Sequence, residues 1–341
     1  MYSNKIDLVL GSMLFGSLTC RNEAESLICK FLDNGFFSFD SAPIYPSPCS
    51  MISFGTTEEI IGDVLLRIGK ERKQSILIST KFPSSSSKLD YTRKLKGAIS
   101  FSELRNSIQS SLARLKVDTI DIFYIHWPER LTTNFGRFIH RFEFCQRDID
   151  ELDESYANLF QIATAGYCRS VGISNETPFG AARFSAMREK SNYTGPVYIQ
   201  NPYNILTPYF DMGLKEIAQA FGIGLCAHSP LAFGVLSTSR SSDELSSSRI
   251  SLYSKYFSRY APRNTTLLER IKMLAEELGL SLEELSIRYV LSNQVTKKLI
   301  VGPRTVRQLD ICMKYYLLGG LDTEILTIID NIYSEVASFA F

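Results

Sequence analysis

Four side chains suited to acid–base chemistry stand at or near the ends of apolar runs in this sequence: Asp40, Tyr45, Lys81 and His126. A phenol has a pKa of about 10 in water, so it exchanges a proton near neutral pH only when its anion is stabilised. The ammonium of Lys81 would stabilise the Tyr45 phenolate, and lowering a pKa by about three units takes about 4 kcal/mol. Asp40 would hold the ammonium in place, and His126 would donate a hydrogen bond to a substrate carbonyl. The set is typical of proton transfer at a carbonyl or alcohol oxygen.

Three further polar pairs follow later apolar runs in the same way: Ser174-Asn175, Gln200-Asn201 and His228-Ser229. A single polar residue after a strand is usually a turn or cap residue. Here polar residues stand at the ends of six apolar runs, and turns alone do not explain such a repeated pattern. In a parallel barrel the carboxyl ends of the strands meet on one rim. The pattern therefore predicts a shared site at the carboxyl ends of the strands.

Short apolar runs alternate with helical patterns along the chain. The eight runs cover residues 8–10, 36–39, 76–79, 120–125, 169–173, 197–200, 224–227 and 299–301. Most are continuous, as expected for parallel strands that are buried on both faces. The economical arrangement is an α/β fold, a single (β/α)8 TIM barrel domain over residues 1–341, with a doubly wound open sheet as the alternative.

Polar residues mark the expected helix starts. Capping boxes are predicted at Asn22 with Glu25, Thr56 with Glu59, Ser100 with Glu103 and Ser281 with Glu284, and a Thr177 cap is predicted before Pro178. The segments 83–99, 128–148 and 231–264 are longer than simple connections, and each follows a strand. Long loops at the C-terminal face of a barrel commonly cover a binding site, so we expect lids there.

Composition excludes several classes of protein. The 341 residues are 45% hydrophobic and 21% charged, as in an ordinary globular protein, and the net charge of +1 gives no electrostatic reason to expect nucleic acid. The seven cysteines include no Cys-x-x-Cys pair, so no metal site is expected. Neither a signal-peptide layout nor a membrane-spanning apolar run is present. We therefore expect a cytoplasmic protein that acts on a small molecule, in an oligomeric state that the sequence does not indicate.

Six motifs carry these polar residues. They are Phe39-Asp40-Ser41-Ala42-x-x-Tyr45, Ser79-Thr80-Lys81, Tyr124-Ile125-His126-Trp127-Pro128, Val171-Gly172-Ile173-Ser174-Asn175, Ile199-Gln200-Asn201 and Ser229-Pro230-Leu231-Ala232-x-Gly234. In order and spacing they resemble the active site of the aldo-keto reductase family, most of all the Tas-type reductases. The resemblance extends over nearly the whole chain.

This resemblance implies a barrel that binds NAD(P)H and reduces an aldehyde or ketone to an alcohol by hydride transfer. It gives the catalytic positions as Asp40, Tyr45, Lys81 and His126, with Tyr45 as the general acid. It gives the cofactor-binding positions as Ser174, Asn175, Gln200, His228, Ser229, Leu231, Gly234, Gly302, Arg304, Thr305 and Gln308. The aromatic residues expected around the substrate are Phe15, Trp127 and Tyr260.

Within the cofactor set, the residues at 174, 175 and 200 match positions that hold the nicotinamide carboxamide. The segment 229–234 matches the pyrophosphate loop, and 302–308 matches the segment at the adenosine end. His228 stands where the family usually has an aromatic residue that stacks on the nicotinamide. Arg304 and Arg307 would pair with a 2′-phosphate, so NADP(H) is expected to be preferred over NAD(H).

Two functions of different classes are consistent with these residues. One is an NADP-dependent reductase of carbonyl compounds. The other is an NADPH-binding barrel that senses redox state or regulates a partner and turns over little. The intact set of carboxylate, phenol, amine and imidazole favours the reductase, because a sensor needs no proton donor.

Overall fold

The computed structural model describes residues 6–84, 97–132, 144–237 and 265–336. Its strands are β1 (Asp7–Gly11), β2 (Ser38–Asp40), β3 (Leu77–Phe82), β4 (Ile120–Ile125), β5 (Cys168–Ser174), β6 (Val197–Pro202), β7 (Gly224–His228) and β8 (Thr296–Val301). Each strand is parallel to the next, and β8 pairs with β1, so the sheet closes into a barrel. The predicted (β/α)8 TIM barrel is confirmed, and the open sheet is excluded because it would leave β1 and β8 unpaired.

Helices cover the outside of this barrel. Within the described ranges they are α1 (Arg21–Asp33), α2 (Thr56–Arg67), α3 (Lys70–Gln74), α4 (Phe101–Leu115), α5 (Gln146–Thr164), α6 (Pro178–Lys190), α7 (Leu214–Phe221), α8 (Thr265–Glu277), α9 (Leu282–Leu291), α10 (Val306–Leu317) and α11 (Thr323–Val336). Two 3₁₀ turns cover Tyr209–Asp211 and Ala232–Gly234. In these ranges we find no helix with both the length and the apolar character that crossing a bilayer requires.

Three of the predicted helix starts are confirmed. At α4 the Ser100 hydroxyl accepts a hydrogen bond from the Glu103 N–H (3.3 Å), and the Glu103 carboxylate accepts one from the Ser100 N–H (2.9 Å). The Thr177 hydroxyl accepts from the Gly180 N–H at the start of α6, and the Ser281 hydroxyl caps α9. These caps satisfy N–H groups that the first turn of a helix leaves without intrahelical partners.

The predicted box at Asn22 and Glu25 is wrong. Helix α1 begins earlier, with Cys20 as its N-cap, and the Glu23 carboxylate accepts a hydrogen bond from the Cys20 N–H at 2.8 Å. Glu25 instead forms an ion pair with Arg67 of α2 at 2.7 Å. A cysteine is not a typical capping residue, which is why the sequence pattern shifted the start by two residues.

The predicted box at Thr56 and Glu59 is also wrong, because Thr56 is already the first helical residue of α2. The cap is Gly55, whose φ of +83° lies in the left-handed region that glycine adopts without strain. A Cβ at this position would come within 2.6 Å of Cδ of Arg114 on α4. The close approach of α4 and the left-handed turn together require a glycine here.

The apolar core has two main layers, and a third small cluster contains Ala42, Ile44 and Tyr45. The larger layer lies between the strands and the helices, and it includes the buried residues of α1. The smaller one fills the barrel and consists of Val9, Ile122, Tyr124, Cys226 and Ile300. The Tyr124 ring fits because the residue opposite is a glycine at position 172, where a Cβ would lie 2.6 Å from ring atoms. The barrel is therefore packed below its rim, and polar side chains gather above the packing.

Candidate active site

A buried ion pair lies at the centre of the rim. The Lys81 ammonium, fully buried on β3, donates hydrogen bonds to Oδ2 of Asp40 and to the Ser41 carbonyl oxygen, both at 2.7 Å. Oδ1 of Asp40 accepts from the Ser79 hydroxyl and from Nε2 of Gln200, again at 2.7 Å. The Asp40 carboxylate thus has three donors, which compensate for its removal from water.

Burial and the neighbouring negative charges shift the pKa of Lys81 in opposite directions. Desolvation lowers the pKa of its ammonium below the ordinary value, and the negative charges of Asp40 and Glu58 oppose that decrease. Glu58 lies on α2, outside the barrel, and its fully buried carboxylate accepts from the Thr80 hydroxyl (2.6 Å) and from Nε of Arg114 (2.7 Å). The cation on β3 therefore has a carboxylate on each side of the sheet.

Tyr45 lies directly above this pair. Nζ of Lys81 is 5.0 Å from the centroid of the Tyr45 ring, and the ring is only 9% exposed. The loop that carries the phenol is tied down by two backbone bonds, from the Tyr45 N–H to Ala42 O (3.0 Å) and from the Thr57 N–H to Tyr45 O (3.5 Å). The phenol is thus held beside an ammonium, as an acid with a stabilised anion requires.

His126 completes the group. It follows β4 directly, and its ring meets the Tyr45 ring edge-on, with centroids 5.7 Å apart and planes at 80°. Desolvation, and then the nearby charge of Lys81, lower the pKa of His126 well below its ordinary value, so the imidazole is neutral. Within the described part of the chain, its buried Nδ1 has no hydrogen-bond partner. A neutral imidazole with an unpaired ring nitrogen is suited to bind a polar ligand atom.

The three residues expected at the nicotinamide carboxamide also lie together. The Ser174 hydroxyl and the Asn175 N–H both donate to the Gln200 carbonyl oxygen, at 2.9 and 3.0 Å. Nδ2 of Asn175 donates to the His126 carbonyl oxygen at 3.0 Å. Asn175 has a φ of +53°, an uncommon conformation for a residue with a side chain. The amide platform, by which we mean Ser174, Asn175 and Gln200, is thus bonded directly to the His126 backbone.

The predicted pyrophosphate loop has unusual backbone geometry. Positive φ values occur at Ser229 (+60°), Ala232 (+45°), Phe233 (+56°) and Gly234 (+94°). Three left-handed residues in succession are strained when two of them have side chains, and such strain is concentrated at functional sites. The N–H groups of Ala232 and Gly234 are used within the loop, where they donate to Ser229 O (3.0 Å) and Leu231 O (2.7 Å). The strained backbone at the end of β7 makes this loop a candidate part of the site.

At the head of the same loop, Nδ1 of His228 lies 2.9 Å from the Ser229 hydroxyl. Burial lowers the pKa of His228 to about 4, with Lys81 adding to the decrease and Asp40 opposing it. The ring is therefore neutral at neutral pH. Leu231 is partly buried and packs against the main core.

The segment expected at the adenosine end follows β8. Thr305 caps α10 by accepting from the Gln308 N–H (3.2 Å), and the Gln308 side chain accepts from the Arg304 N–H (2.9 Å). Among the described residues, the nearest atom to a Cβ at Gly302 would be Gly11 O, at 3.9 Å. The side chain of Arg307 is exposed. This segment, the strained loop after β7 and the amide platform all follow strands at the carboxyl end of the barrel, an arrangement that would fit a dinucleotide laid across the rim.

The residues expected around the substrate are placed differently from one another. Trp127 packs on His126, with ring centroids 4.7 Å apart, and it lines a narrow crevice that also reaches Ser174 and Glu176. Phe15 is 1% exposed and packs in the main core, so its ring supports the rim from below. Tyr260 lies outside the described residues, as do large parts of all three expected lids.

Two buried carboxylates of the site region, Glu58 and Glu176, were not predicted from the sequence. Both lie in helical or loop segments where a charged residue usually faces water, so residue type alone gives no signal. Ser79 is a third residue outside the predicted site set, although its hydroxyl donates to Asp40 at 2.7 Å. Its position two residues before Lys81 places both side chains on one face of β3, which is a signal that strand periodicity contains.

Comparison with known proteins agrees with this geometry. The model of the aldo/keto reductase family matches residues 7–334. Protein tas of Escherichia coli (strain K12) is 30% identical over 89% of this chain and 87% of its own length. The uncharacterized oxidoreductase YrpG of Bacillus subtilis (strain 168) is 29% identical over 96% of this chain and 91% of its own length. A putative voltage-gated potassium channel subunit beta of Schizosaccharomyces pombe (strain 972 / ATCC 24843) is 25% identical over 94% of this chain and 88% of its own length. With a closed barrel, the Asp40–Lys81 pair beneath Tyr45 and a family match along nearly its whole length, this chain belongs to the aldo/keto reductase family of oxidoreductases.

Proposed function

We propose that this protein is an NADP(H)-dependent reductase that converts an aldehyde or ketone to an alcohol, with Tyr45 as the general acid. The observation that carries the proposal is the Lys81–Asp40 ion pair, buried beneath the Tyr45 ring with Nζ 5.0 Å from its centroid. A fully buried ion pair contributes little net stability to a fold. A cation placed under a phenol has a clear chemical use, which is to stabilise the phenolate that proton donation leaves behind.

Each residue then has a role in the reaction. NADPH, held by the amide platform and by the segments 229–234 and 302–308, would supply the hydride that the carbonyl carbon receives. The Tyr45 hydroxyl donates its proton to the carbonyl oxygen, and the Lys81 ammonium stabilises the resulting phenolate. The neutral His126 imidazole orients the carbonyl by donating a hydrogen bond to the same oxygen. The product is an alcohol, and the phenolate regains its proton from water.

The test of the acid is the variant Tyr45→Phe, assayed by NADPH oxidation against a panel of aldehydes and ketones. The aromatic Trp127 beside His126 favours apolar and aromatic compounds in that panel. We expect the variant to lose a factor of about 10² to 10⁴ in rate, as is usual for removal of a general acid, while it still binds cofactor. A variant as fast as the parent would show that Tyr45 is not the acid.

Cofactor preference is tested separately, by fluorescence titration with NADPH and with NADH. Arg304 and Arg307 are the residues that would contact a 2′-phosphate, and the exposed side chain of Arg307 can swing toward a ligand. We expect NADPH to bind more tightly, and replacement of both arginines by methionine to abolish the difference. Equal affinities in the parent would remove the role given to these arginines.

A second function, that of an NADPH-binding regulatory barrel, is favoured by one observation. Probable and putative voltage-gated potassium channel beta subunits are 25% identical to this chain over 88% to 94% of its length. For a regulator we expect tight NADPH binding, no turnover on any compound of the panel and co-purification with a partner. Turnover that depends on Tyr45 decides for the reductase.

A further inference from the structure

A second buried ion pair lies immediately behind the amide platform. Arg130 follows His126 by four residues in the loop after β4, and Glu176 directly follows Asn175 after β5. The two side chains are 7% and 3% exposed. The guanidinium donates from Nη2 to Oε1 of Glu176 at 2.6 Å and from Nη1 to Oε2 at 3.0 Å. This paired geometry is the strongest and most directional contact that an arginine makes with a carboxylate.

Glu176 is also bonded to three further segments. Its Oε2 accepts from the Tyr156 hydroxyl of α5 at 3.0 Å, and its Oε1 accepts from the Thr177 N–H at 2.6 Å. Its own backbone is paired in both directions with the Asn201 side chain of β6, at 3.0 and 2.9 Å. Burial lowers the pKa of Arg130, but the hydrogen bonds and charge of Glu176 raise it more, so the guanidinium stays charged. Through its carboxylate and its backbone, Glu176 thus joins the ends of β4, β5 and β6 to two helices.

Stability alone does not explain such a pair. A buried ion pair is generally replaceable by apolar residues of similar size without loss of stability. The pair closes a ring of contacts: His126 to Arg130 along the chain, Arg130 to Glu176 through the ion pair, and Asn175 back to the His126 carbonyl at 3.0 Å. Asn175, at a φ of +53°, keeps that conformation only where the surroundings fix it.

We propose that Arg130 and Glu176 are positioning residues that hold the amide platform at a fixed distance from His126. The nicotinamide carboxamide bound by Ser174, Asn175 and Gln200 then places its ring beside the carbonyl that His126 orients. This inference rests on the proposed function, because it assigns the ion pair a task in cofactor binding. A binding site of this kind needs its contacting groups fixed to about 0.5 Å, which side chains on loops reach only with such support.

The test compares two ligands that differ in the nicotinamide. NADPH contains it, and 2′-phospho-ADP-ribose lacks it but has the same pyrophosphate and adenosine 2′-phosphate. The principal variant is the double change Arg130→Met with Glu176→Gln, which removes both charges together and leaves the glutamine to bond Thr177 and Tyr156. It therefore contains no unpaired buried charge, the usual cause of failed folding after changes to such pairs.

The matched control is Asp153→Asn. Asp153 of α5 forms a two-bond pair with Arg183 of α6, and both of these side chains are partly exposed. Dissociation constants are measured by isothermal titration calorimetry on the full chain, and thermal unfolding is recorded for each variant. We expect the double variant to bind NADPH at least tenfold more weakly and 2′-phospho-ADP-ribose within twofold of the parent. The control Asp153→Asn should leave the dissociation constants of both ligands unchanged.

Each other outcome overturns the inference. Equal weakening of both ligands would mean that the pair supports the fold in general and not the platform. Unchanged binding of both would mean that it supports neither. Tyr156→Phe, which removes one bond to Glu176 and no charge, gives a milder check and should shift only the NADPH affinity. A parent that binds neither NADPH nor NADH would refute the proposed function itself, a result visible before any variant is made.

Discussion

The contribution of Lys81 to catalysis is the most quantitative prediction that the site allows. At 5.0 Å from the ring centroid and with an effective dielectric constant of about 20, an ammonium stabilises a phenolate by about 3 kcal/mol. Since about 1.4 kcal/mol corresponds to a factor of ten in rate, Lys81→Met should slow proton-coupled reduction by about 200-fold. The same change leaves the buried Asp40 carboxylate without its cation, and such a loss costs about 3–5 kcal/mol of stability.

These two effects are separated by adding Asp40→Asn. The neutral double variant has no unpaired charge in the barrel, and the new asparagine still accepts from the Ser79 hydroxyl, which in the parent donates to Asp40 at 2.7 Å. We expect the double variant to regain most of the stability that the single variant loses, but none of the rate. The measurements are urea unfolding followed by circular dichroism and single-turnover oxidation of bound NADPH at saturating carbonyl substrate.

The result that would refute this reasoning is recovery of the rate together with the stability. In that case the single variant would be slow because its barrel is damaged, and the ammonium would have no part in the chemistry. A rate that stays low in a stable double variant is caused by loss of the ion pair and not by damage to the barrel.

Three further predictions concern the folded state. Burial lowers the pKa of His228 to about 4, so the unfolded chain binds a proton at this imidazole more tightly than the folded protein does. The free energy of unfolding should therefore fall as the pH drops from about 6.5 towards 4. A His228 titration midpoint near pH 6.5, measured by NMR on the folded protein, would contradict this. Gly62→Ala would place a Cβ against a carbonyl oxygen of α4 and should cost about 1–3 kcal/mol in urea unfolding. In contrast, Gly69→Ala places a Cβ with no neighbouring atom of the described residues within 4 Å, and it should change stability by less than about 1 kcal/mol. Glu58→Gln leaves the half-buried guanidinium of Arg114 without its carboxylate and should lower the free energy of unfolding by about 3 kcal/mol. Asp153→Asn, which breaks a more exposed pair, should lower it by about 1 kcal/mol or less. Equal losses would show that burial of the pair is irrelevant.

The strands and the grouping of Asp40, Tyr45, Lys81 and His126 could be predicted from the sequence for a physical reason. Parallel strands buried on both faces require continuous apolar runs, and those runs are visible without any knowledge of contacts. The polar residues that end them are then brought together by the parallel pairing of the strands, as β2 with β3 brings Asp40 to Lys81. Strand β3 extends through Phe82, so Lys81 lies within the strand and not after it, but its side chain still reaches the predicted partner.

The carboxylates that support the site could not be predicted in the same way. Glu58 is buried because Arg114, 56 residues away, meets it from α4, and Glu176 is buried because Arg130, 46 residues away, meets it from the loop after β4. No periodicity in a single segment contains such a pairing. A glutamate in a helix or a loop is normally solvated, so its residue type indicates the opposite of what the structure shows.

Strand β3 shows how one short sequence serves both sides of the sheet. Successive side chains of a strand point to opposite faces, so Ser79 and Lys81 reach Asp40 inside the barrel while Thr80 reaches Glu58 outside it. In the observed register Asp40 pairs with Ser79. A shift of β3 by one residue would turn each of its side chains to the opposite face of the sheet, so the Lys81 ammonium would point into the helix layer. The bond from Thr80 to Glu58 opposes that shift, because it is formed only in the register that brings Lys81 to Asp40. The outer carboxylate therefore contributes to the active site without touching it, by fixing which face of the strand carries the cation.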